Sequence, residues 1–411
     1  MATAARVSRV VHLLHFPAAM VRVRFALVAL VALALAGPAA GEARAGGGVS
    51  RARSATPAGG PARARARAVR AKKAAATARA RRPGIIATVG PRSSDRATLR
   101  SMMRGGMEVA RINLSHNGAR SAKALAREVR RAARAEGRRV PILFDLPGGK
   151  VRLGAMGDSP VTLRPGQRFE LVPGGRERTT ATRASVAYRD LARMAQVGER
   201  VLLDDGRLEL EVTGVAGGRV QTRVVRGGEL RSKMGLALAG RELRFPAMTA
   251  QDRRKLKIAV DAGADWIGVS MVQSARNLKA VRRALDRLGA GHVKVVAKIE
   301  SRAALENLDE ILDASDGVMI ARGDLSVAVG AELPRVQERI ARRARDKGVP
   351  FITASNLMSS MQTGTRPSAA NRADVRRAAR QGPRWLMLNE TAMGRDPGRI
   401  VESMRAILTG R

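Results

Sequence analysis

From Gly84 onward the chain alternates short apolar runs with longer stretches whose apolar residues recur every three or four positions. The runs are GIIATVG (84–90), EVARINLSH (108–116), VPILFDL (140–146), WIGVSM (266–271), VKVVAKIE (293–300), GVMIARGDL (317–325), PFITASNL (350–357) and WLMLNE (385–390). Each has the length of a buried strand. Almost every one is followed by helical spacing, as in NLKAVRRALDRL (277–288) and RVQERIARRARDK (335–347). Eight strands, each followed by a helix except the third, predict an α/β chain folded as a (β/α)8 TIM barrel. At the third unit the texture changes. VTLRPGQRFELV (161–172), ERVLLDDGRLELEVTGV (199–215) and GRVQTRVVRGG (218–228) alternate with period two around glycine turns. They predict a small all-β domain inserted after strand three, over the catalytic face of the barrel. It ends near Met234, and a helix from Thr249 to Gly263 leads into strand four. The expected division is a leader at 1–83, a barrel at 84–153 and 235–411, and an inserted β domain at 154–234.

Charge complicates this picture without overturning it. A formal net charge of +41 on 411 residues is the signature of a nucleic-acid binder. Residues 1–83 hold 16 Lys and Arg against one acid, Glu42, and the remainder still holds 60 bases against 34 acids. Arg and Ala are abundant throughout, whereas Phe, Trp and Tyr together number nine. Base stacking needs aromatic platforms. With no recognised nucleic-acid module beside the charge, an Arg-rich, codon-biased chain is the preferred reading, and no specific nucleic acid is expected. The absence of cysteine excludes disulfides, thiolate metal sites and a cysteine nucleophile.

The first eighty residues read as an address. Arg6, Arg9, Arg22 and Arg24 precede a twelve-residue apolar run, Phe25 to Ala36, too short to span a bilayer and suited to a signal-peptide core. Ala43-Arg44-Ala45 offers a cleavage-like site, and no acid occurs from Ala43 to Ser94. Signal first and transit-like stretch second predicts import into a plastid of secondary origin. An ordinary secretory signal and a misplaced start codon, leaving a cytoplasmic protein, are the competing readings. No membrane association is expected once the leader is removed.

The chemistry lies in charges set late in otherwise apolar strands. VVAKIES (295–301) puts Lys298 and Glu300 on one face of a buried strand, because residues i and i+2 point the same way. Strand two adds Arg111, Asn113 and Ser115, and strand three adds Asp145, followed by Lys150 and Arg152. Strand six gives Arg322 and Asp324, and strand seven gives Ser355. Barrel active sites form at the C-terminal strand ends. One such charge is more often a satisfied core ion pair; a set at five strand ends requires repeated coincidence. Glu300 and Asp324 offer hard oxygens with no His or Cys nearby, which suits Mg2+ or Mn2+ rather than zinc. Arg111 and Lys298 beside them call for an anion. A metal, a guanidinium and an ammonium around one point make a phosphoryl-transfer site. The ARGD turn (321–324) adds backbone N–H groups fit to hold a carboxylate or phosphate oxygen.

Residues 84–409 resemble pyruvate kinase. The segments IIATVGPRSS, GMEVARINLSH, VGERVLLDDGRLELEV, VVAKIES, ILDASDGVMIARGDL, ITASNLMSSM and MLNETAMG follow in family order and spacing. The resemblance implies the glycolytic conversion of phosphoenolpyruvate and ADP to pyruvate and ATP. It implies that Arg111 binds the phosphoenolpyruvate phosphate and that Lys298 stabilises the transferring phosphoryl group and the enolate. Glu300 and Asp324 would hold Mg2+, with the Gly323 and Asp324 amides on the substrate carboxylate. Arg152 and Lys233 would face the nucleotide, and Ser355 would stand for the family's proton-relay threonine. Asn113, Ser115, Asp145 and the Leu146 carbonyl would form the monovalent-cation site. The β insert would be the lid.

The sequence also departs from the family. Lys150 stands where K+-dependent members carry Glu, so K+ is not expected to be required. Lys233-Met234-Gly235 replaces Lys-Lys-Gly and loses a cation. Ser121 lies near the place of a nucleotide-side tyrosine, and Ser326 replaces a glycine. RPSAAN (366–371) and the shortened LNET (388–391) also differ. Weakened or altered nucleotide binding is the expected consequence. The chain stops at Arg411, after the eighth helix, without a counterpart of the family's effector-binding C-terminal domain. The expectation is therefore no sugar-phosphate control and a tetramer disfavoured, with a homodimer through barrel faces left open. Two other readings stand beside the kinase. One is a Mg2+-dependent enolate lyase or aldolase on the same barrel. The other is a non-catalytic basic binding protein on a retired kinase scaffold.

Overall fold

A computed structural model describes residues 82–410 apart from 158–160, 176, 205, 242 and 244. The expected leader (1–83) lies almost entirely outside the described residues. The first strands are β1 (Gly84–Thr88), β2 (Met107–Asn113) and β3 (Ile142–Asp145). Helix α1 (Arg96–Arg104) joins the first two, and α2 (Ala119–Ala135) the second and third. The inserted segment supplies β4 (Val161–Leu163), β5 (Arg168–Pro173), β6 (Arg183–Val186), α3 (Leu191–Met194), β7 (Arg200–Leu203), β8 (Leu208–Ala216), β9 (Arg219–Arg226), β10 (Gly228–Leu230) and β11 (Leu236–Leu238). Then come α4 (Ala250–Asp261), β12 (Trp266–Val269), α5 (Ala275–Arg287), β13 (Lys294–Ile299), α6 (Arg302–Glu306) and α7 (Leu308–Ala314). The chain finishes with β14 (Gly317–Ala321), α8 (Arg322–Val329), α9 (Leu333–Asp346), β15 (Phe351–Ala354), α10 (Ala369–Arg380), β16 (Trp385–Leu388) and α11 (Pro397–Thr409).

Eight parallel strands close in the order β1-β16-β15-β14-β13-β12-β3-β2, the (β/α)8 barrel expected from the eight apolar runs. The runs are continuous because both strand faces are buried. One face meets the helices: Ile85, Ala87, Ile112, Phe144, Ile267, Ile299 and Leu386 belong to the outer core. The other fills the barrel interior with Ile86, Val109, Leu143, Trp266, Val296, Met319, Ile352 and Met387. Local chemistry starts the helices where the runs end. Thr249 and Asp252 form a capping box on α4, and Asp95 caps α1 through the Thr98 amide.

The insert has its own core, from Val151 to Leu243, under a six-stranded sheet of order β11-β7-β8-β9-β5-β6 and a two-stranded β10-β4 pair. Its sheet runs to Leu238, past the boundary expected near Met234, because β11 pairs with β7. The barrel and the insert both lie within one compact unit.

Candidate functional site

The inward phase of each strand leads to the mouth. Two residues beyond Ile86, Val109, Leu143, Val296 and Met387 stand Thr88, Arg111, Asp145, Lys298 and Asn389. Period two alone carries the apolar interior into a polar cluster. Arg111, Asn113, Ser115, Asp145, Leu146, Lys150, Arg152, Lys298, Glu300, Gly323, Asp324 and Ser355 line one cavity of about 950 Å³ at these strand ends. Of the charged strand-end and nucleotide-side residues singled out in the sequence, Arg322 and Lys233 do not line it.

Asp145 is the hub, 1% exposed. Its Oδ2 accepts from Arg111 Nε at 2.9 Å and Nη2 at 2.6 Å, while Lys298 Nζ lies 3.3 Å from Oδ1. Burial pushes the Asp145 carboxyl up, but the charges of Lys298 and Arg111 outweigh it and hold it below the usual carboxylate range. Lys298 also meets Glu300 Oε1 at 3.0 Å and donates to Ser270 Oγ at 2.6 Å. Burial pulls its ammonium down; Asp145 and Glu300 more than compensate, so it stays charged. Glu300 goes the other way. Burial raises its carboxyl, Lys298 opposes, and the nearby Asp324 charge raises it further. Its Oε2 accepts from the Met271 amide at 2.7 Å.

A buried carboxylate, Glu300, whose ionisation the neighbouring Asp324 charge makes costlier, fits a divalent cation held between the two, which would relieve it. No group of three or more His, Cys, Asp or Glu suited to a metal occurs among the described residues, so water or substrate oxygens would complete the shell. Arg322 and Asp324 open a helix, α8, rather than a turn, and the Gly323 and Asp324 amides belong to its first turn, where N–H groups lack helical partners.

Lys150 lines the same cavity as Asn113, Ser115, Asp145 and Leu146. Its ammonium pairs with Asp324, because Asp145 already faces two cations. Its stem crosses Gly235, where an added Cβ would come within 2.7 Å of Lys150 Cε. Asn113 Oδ1 accepts from the Ser115 amide at 2.9 Å. Lys233 is exposed, at φ 60°, and its carbonyl accepts from Arg152 Nη1 at 3.0 Å. Its charge nevertheless reaches His116. Burial and the neighbouring Arg152, Arg111 and Lys233 hold that imidazole below its usual range.

Several departures from the family pattern acquire local explanations. Met234 is 5% exposed in the insert's core, so that position turns away from the cleft. Ser326 Oγ donates to the Gly323 carbonyl at 2.7 Å. Ser368 caps α10 through the Asn371 amide, and Ser121 is exposed on α2. Asn389 of the shortened LNET accepts from Arg111 Nη1 at 3.2 Å.

Left-handed backbone gathers around the cleft. Met271 (φ 55°), Ser355 (84°) and Asn356 (56°) all line the cavity. Such residues carry about 1–3 kcal/mol of strain each and persist only where surroundings over-determine them. Just after β16, Glu390 is fully buried; Oε1 accepts from the Met358 amide at 2.9 Å and Oε2 is unpartnered among the described residues. Burial pushes this carboxyl up. A raised acid stabilises fully at low pH and loses that contribution as pH climbs through the folded value. Glu390→Gln, which keeps the acceptor, is expected to exceed the parent by about 1–3 kcal/mol near neutral pH and to converge with it in mild acid. Melting curves at the two pH values check this; parallel curves at both would contradict it.

The fold and this mouth define a (β/α)8-barrel protein with cationic and carboxylate side chains gathered at its C-terminal strand ends. A family model described as pyruvate kinase, barrel domain, matches residues 80–401, and the chain belongs to the pyruvate kinase family. The pyruvate kinase of Mycobacterium intracellulare is 37% identical over 331 residues, 80% of this chain and 70% of that protein. That of Geobacillus stearothermophilus is 35% identical over 331 residues, 80% of this chain but 56% of its own length. That of Methylorubrum extorquens is 37% identical over 335 residues, covering 80% and 68%.

These relatives correct the plastid expectation. They are bacterial pyruvate kinases, and the family match opens only at residue 80. An acid-poor, Arg- and Ala-rich stretch follows as readily from the composition of the whole chain. Among the described residues no helix is long and apolar enough to cross a membrane.

Proposed function

We propose that the chain transfers the phosphoryl group of phosphoenolpyruvate to ADP, giving pyruvate and ATP. The observation that carries this reading is the convergence of Arg111, Lys298, Glu300, Gly323, Asp324 and Ser355 on one cavity. Arg111 receives the phosphate, and Lys298 meets charge on the transferring group and the enolate oxygen. The first-turn amides of α8 take the carboxylate, and the Ser355 hydroxyl serves the proton step at the enolate carbon. Glu300 and Asp324 would hold Mg2+, which when bound would supply positive charge against the phosphoryl and enolate oxygens. Arg152, Lys233 and His116 face the nucleotide.

The insert acts as a lid. An apolar cleft of about 860 Å³, lined by Leu236, Leu238, Leu243 and Phe245 of the insert side and by Val327 and Ala328 of α8, gives it room to close and exclude water. The relatives named above are all pyruvate kinases, so neither the lyase nor the binding-protein reading gains support from them. A coupled assay tests the proposal: pyruvate should appear only with phosphoenolpyruvate, ADP and Mg2+ together, and stop on chelation. Failure to form pyruvate under those conditions would refute it.

With an ammonium from Lys150 in the same cavity, K+ is expected to change the rate by less than about twofold, a difference of only ~0.4 kcal/mol. Lys150→Glu should make the enzyme depend on K+. Strong K+ activation of the parent would contradict the assignment.

A further inference from the structure

The strained loop after β15 needs an agent that holds it, and Arg322 and Asp374 stand in the right place. Arg322 begins α8, the helix that presents Gly323 and Asp324 to the cavity. Its Nε donates to the Ala354 carbonyl at 3.2 Å and its Nη2 to the Ser355 carbonyl. The same guanidinium grips Asp374 on α10, with Nη1 to Oδ1 at 2.9 Å and Nη2 to Oδ2 at 2.8 Å. Both side chains are mostly buried, 12% and 18% exposed, and neither lines the cavity. One fork therefore ties together three pieces: the start of α8, the end of β15 and helix α10.

The carbonyls it holds flank the residue with the most extreme backbone. Ser355 sits at φ 84° and is followed by Asn356 at 56°, two consecutive left-handed non-glycine residues. The Ser355 hydroxyl stands over the first turn of α8: a Cβ built on Gly323 would lie 3.8 Å from Ser355 Oγ. Relaxation of Ser355 to an ordinary φ would swing that hydroxyl away. A bidentate guanidinium–carboxylate pair is directional enough to oppose this. Burial raises the Asp374 carboxyl, but hydrogen bonds and charge from Arg322 and Arg377 hold it below its usual range, so it remains an anionic anchor.

We propose that Asp374 and Arg322 are positioning residues that hold the Ser355 turn in its left-handed form and thereby aim the Ser355 hydroxyl at the substrate carbon. The inference rests on the proton-relay role given to Ser355 above.

The test uses the full chain with Mg2+, comparing the parent with Asp374→Asn, Asp374→Glu and Arg322→Lys. Asp374→Asn is expected to lower kcat by about 10- to 100-fold, the scale of a small misplacement, with the KM for phosphoenolpyruvate within about twofold. Exchange of pyruvate's methyl protons with solvent should fall at least as far, and Asp374→Glu should recover part of both. Hydrogen exchange of the backbone amides at 354–358 should quicken about tenfold or more, while the rest of the barrel is unchanged. Arg322→Lys, which keeps a cation but not the fork, should behave like Asp374→Asn if the latter does not fold. Unchanged amide exchange at 354–358, or equal losses in KM and kcat with proton exchange intact, would overturn the proposal. A parent that forms no pyruvate would refute the kinase reading instead, and the amide exchange would still judge the positioning claim.

Discussion

Lys298→Met is expected to lower turnover by about a thousandfold or more while the chain still folds. Methionine keeps the length of the stem and removes the charge. That ammonium lies 3.0 Å from Glu300 and 3.3 Å from Asp145, in a buried position where neither bulk water nor salt can replace it. Asp145 keeps Arg111 as a bidentate partner, so the network is thinned rather than dismantled. Initial rates of pyruvate formation at saturating substrates, beside melting curves, make the comparison. A variant within tenfold of the parent would remove Lys298 from the chemistry.

Asp145→Leu should act on stability. It takes away the one carboxylate shared by Arg111 and Lys298, and breaking a buried pair by deleting one partner costs about 3–5 kcal/mol. The sign with pH follows from the lowered carboxyl of Asp145. Its stabilisation is complete above the unfolded carboxylate range and is lost as pH falls through the folded value. The gap between parent and variant in denaturant midpoints should therefore be wide at neutral pH and narrow in acid. A loss below about 1 kcal/mol at neutral pH would show that the two cations are satisfied without Asp145.

The barrel was legible because parallel strands buried on both faces leave uninterrupted apolar runs, and a charge inside such a run is conspicuous. Lys298, Glu300, Arg111 and Asp145 announced themselves in that way. Thr88, Ser270 and Asn389 did not, since a small neutral polar residue at a strand end is ordinary. They share the inward phase or its continuation, and following that phase two residues past each interior side chain would have found Thr88 and Asn389. The pairing of Lys150 with Asp324 joins positions 174 residues apart, and only the closed barrel brings them together. In the insert, β6, β10 and β11 are three or four residues long, too short to show a period, so its end was placed before β11. The ARGD segment reads as a turn in sequence because it closes an apolar strand run, whereas in the fold it opens α8. The leader reading combines an apolar run behind arginines with an acid-poor, Arg-rich stretch, and the second of these does not separate an address from a chain that is Arg- and Ala-rich throughout.

Following the phosphorus atom itself tests the central claim most directly. With the full chain, phosphoenolpyruvate, ADP and Mg2+, phosphorus NMR should show the phosphoenolpyruvate signal decline as the γ-phosphate of ATP grows one for one, and Lys298→Met should show neither change. A phosphoenolpyruvate signal that persists, or one that is replaced by inorganic phosphate without ATP, would contradict phosphoryl transfer at this mouth.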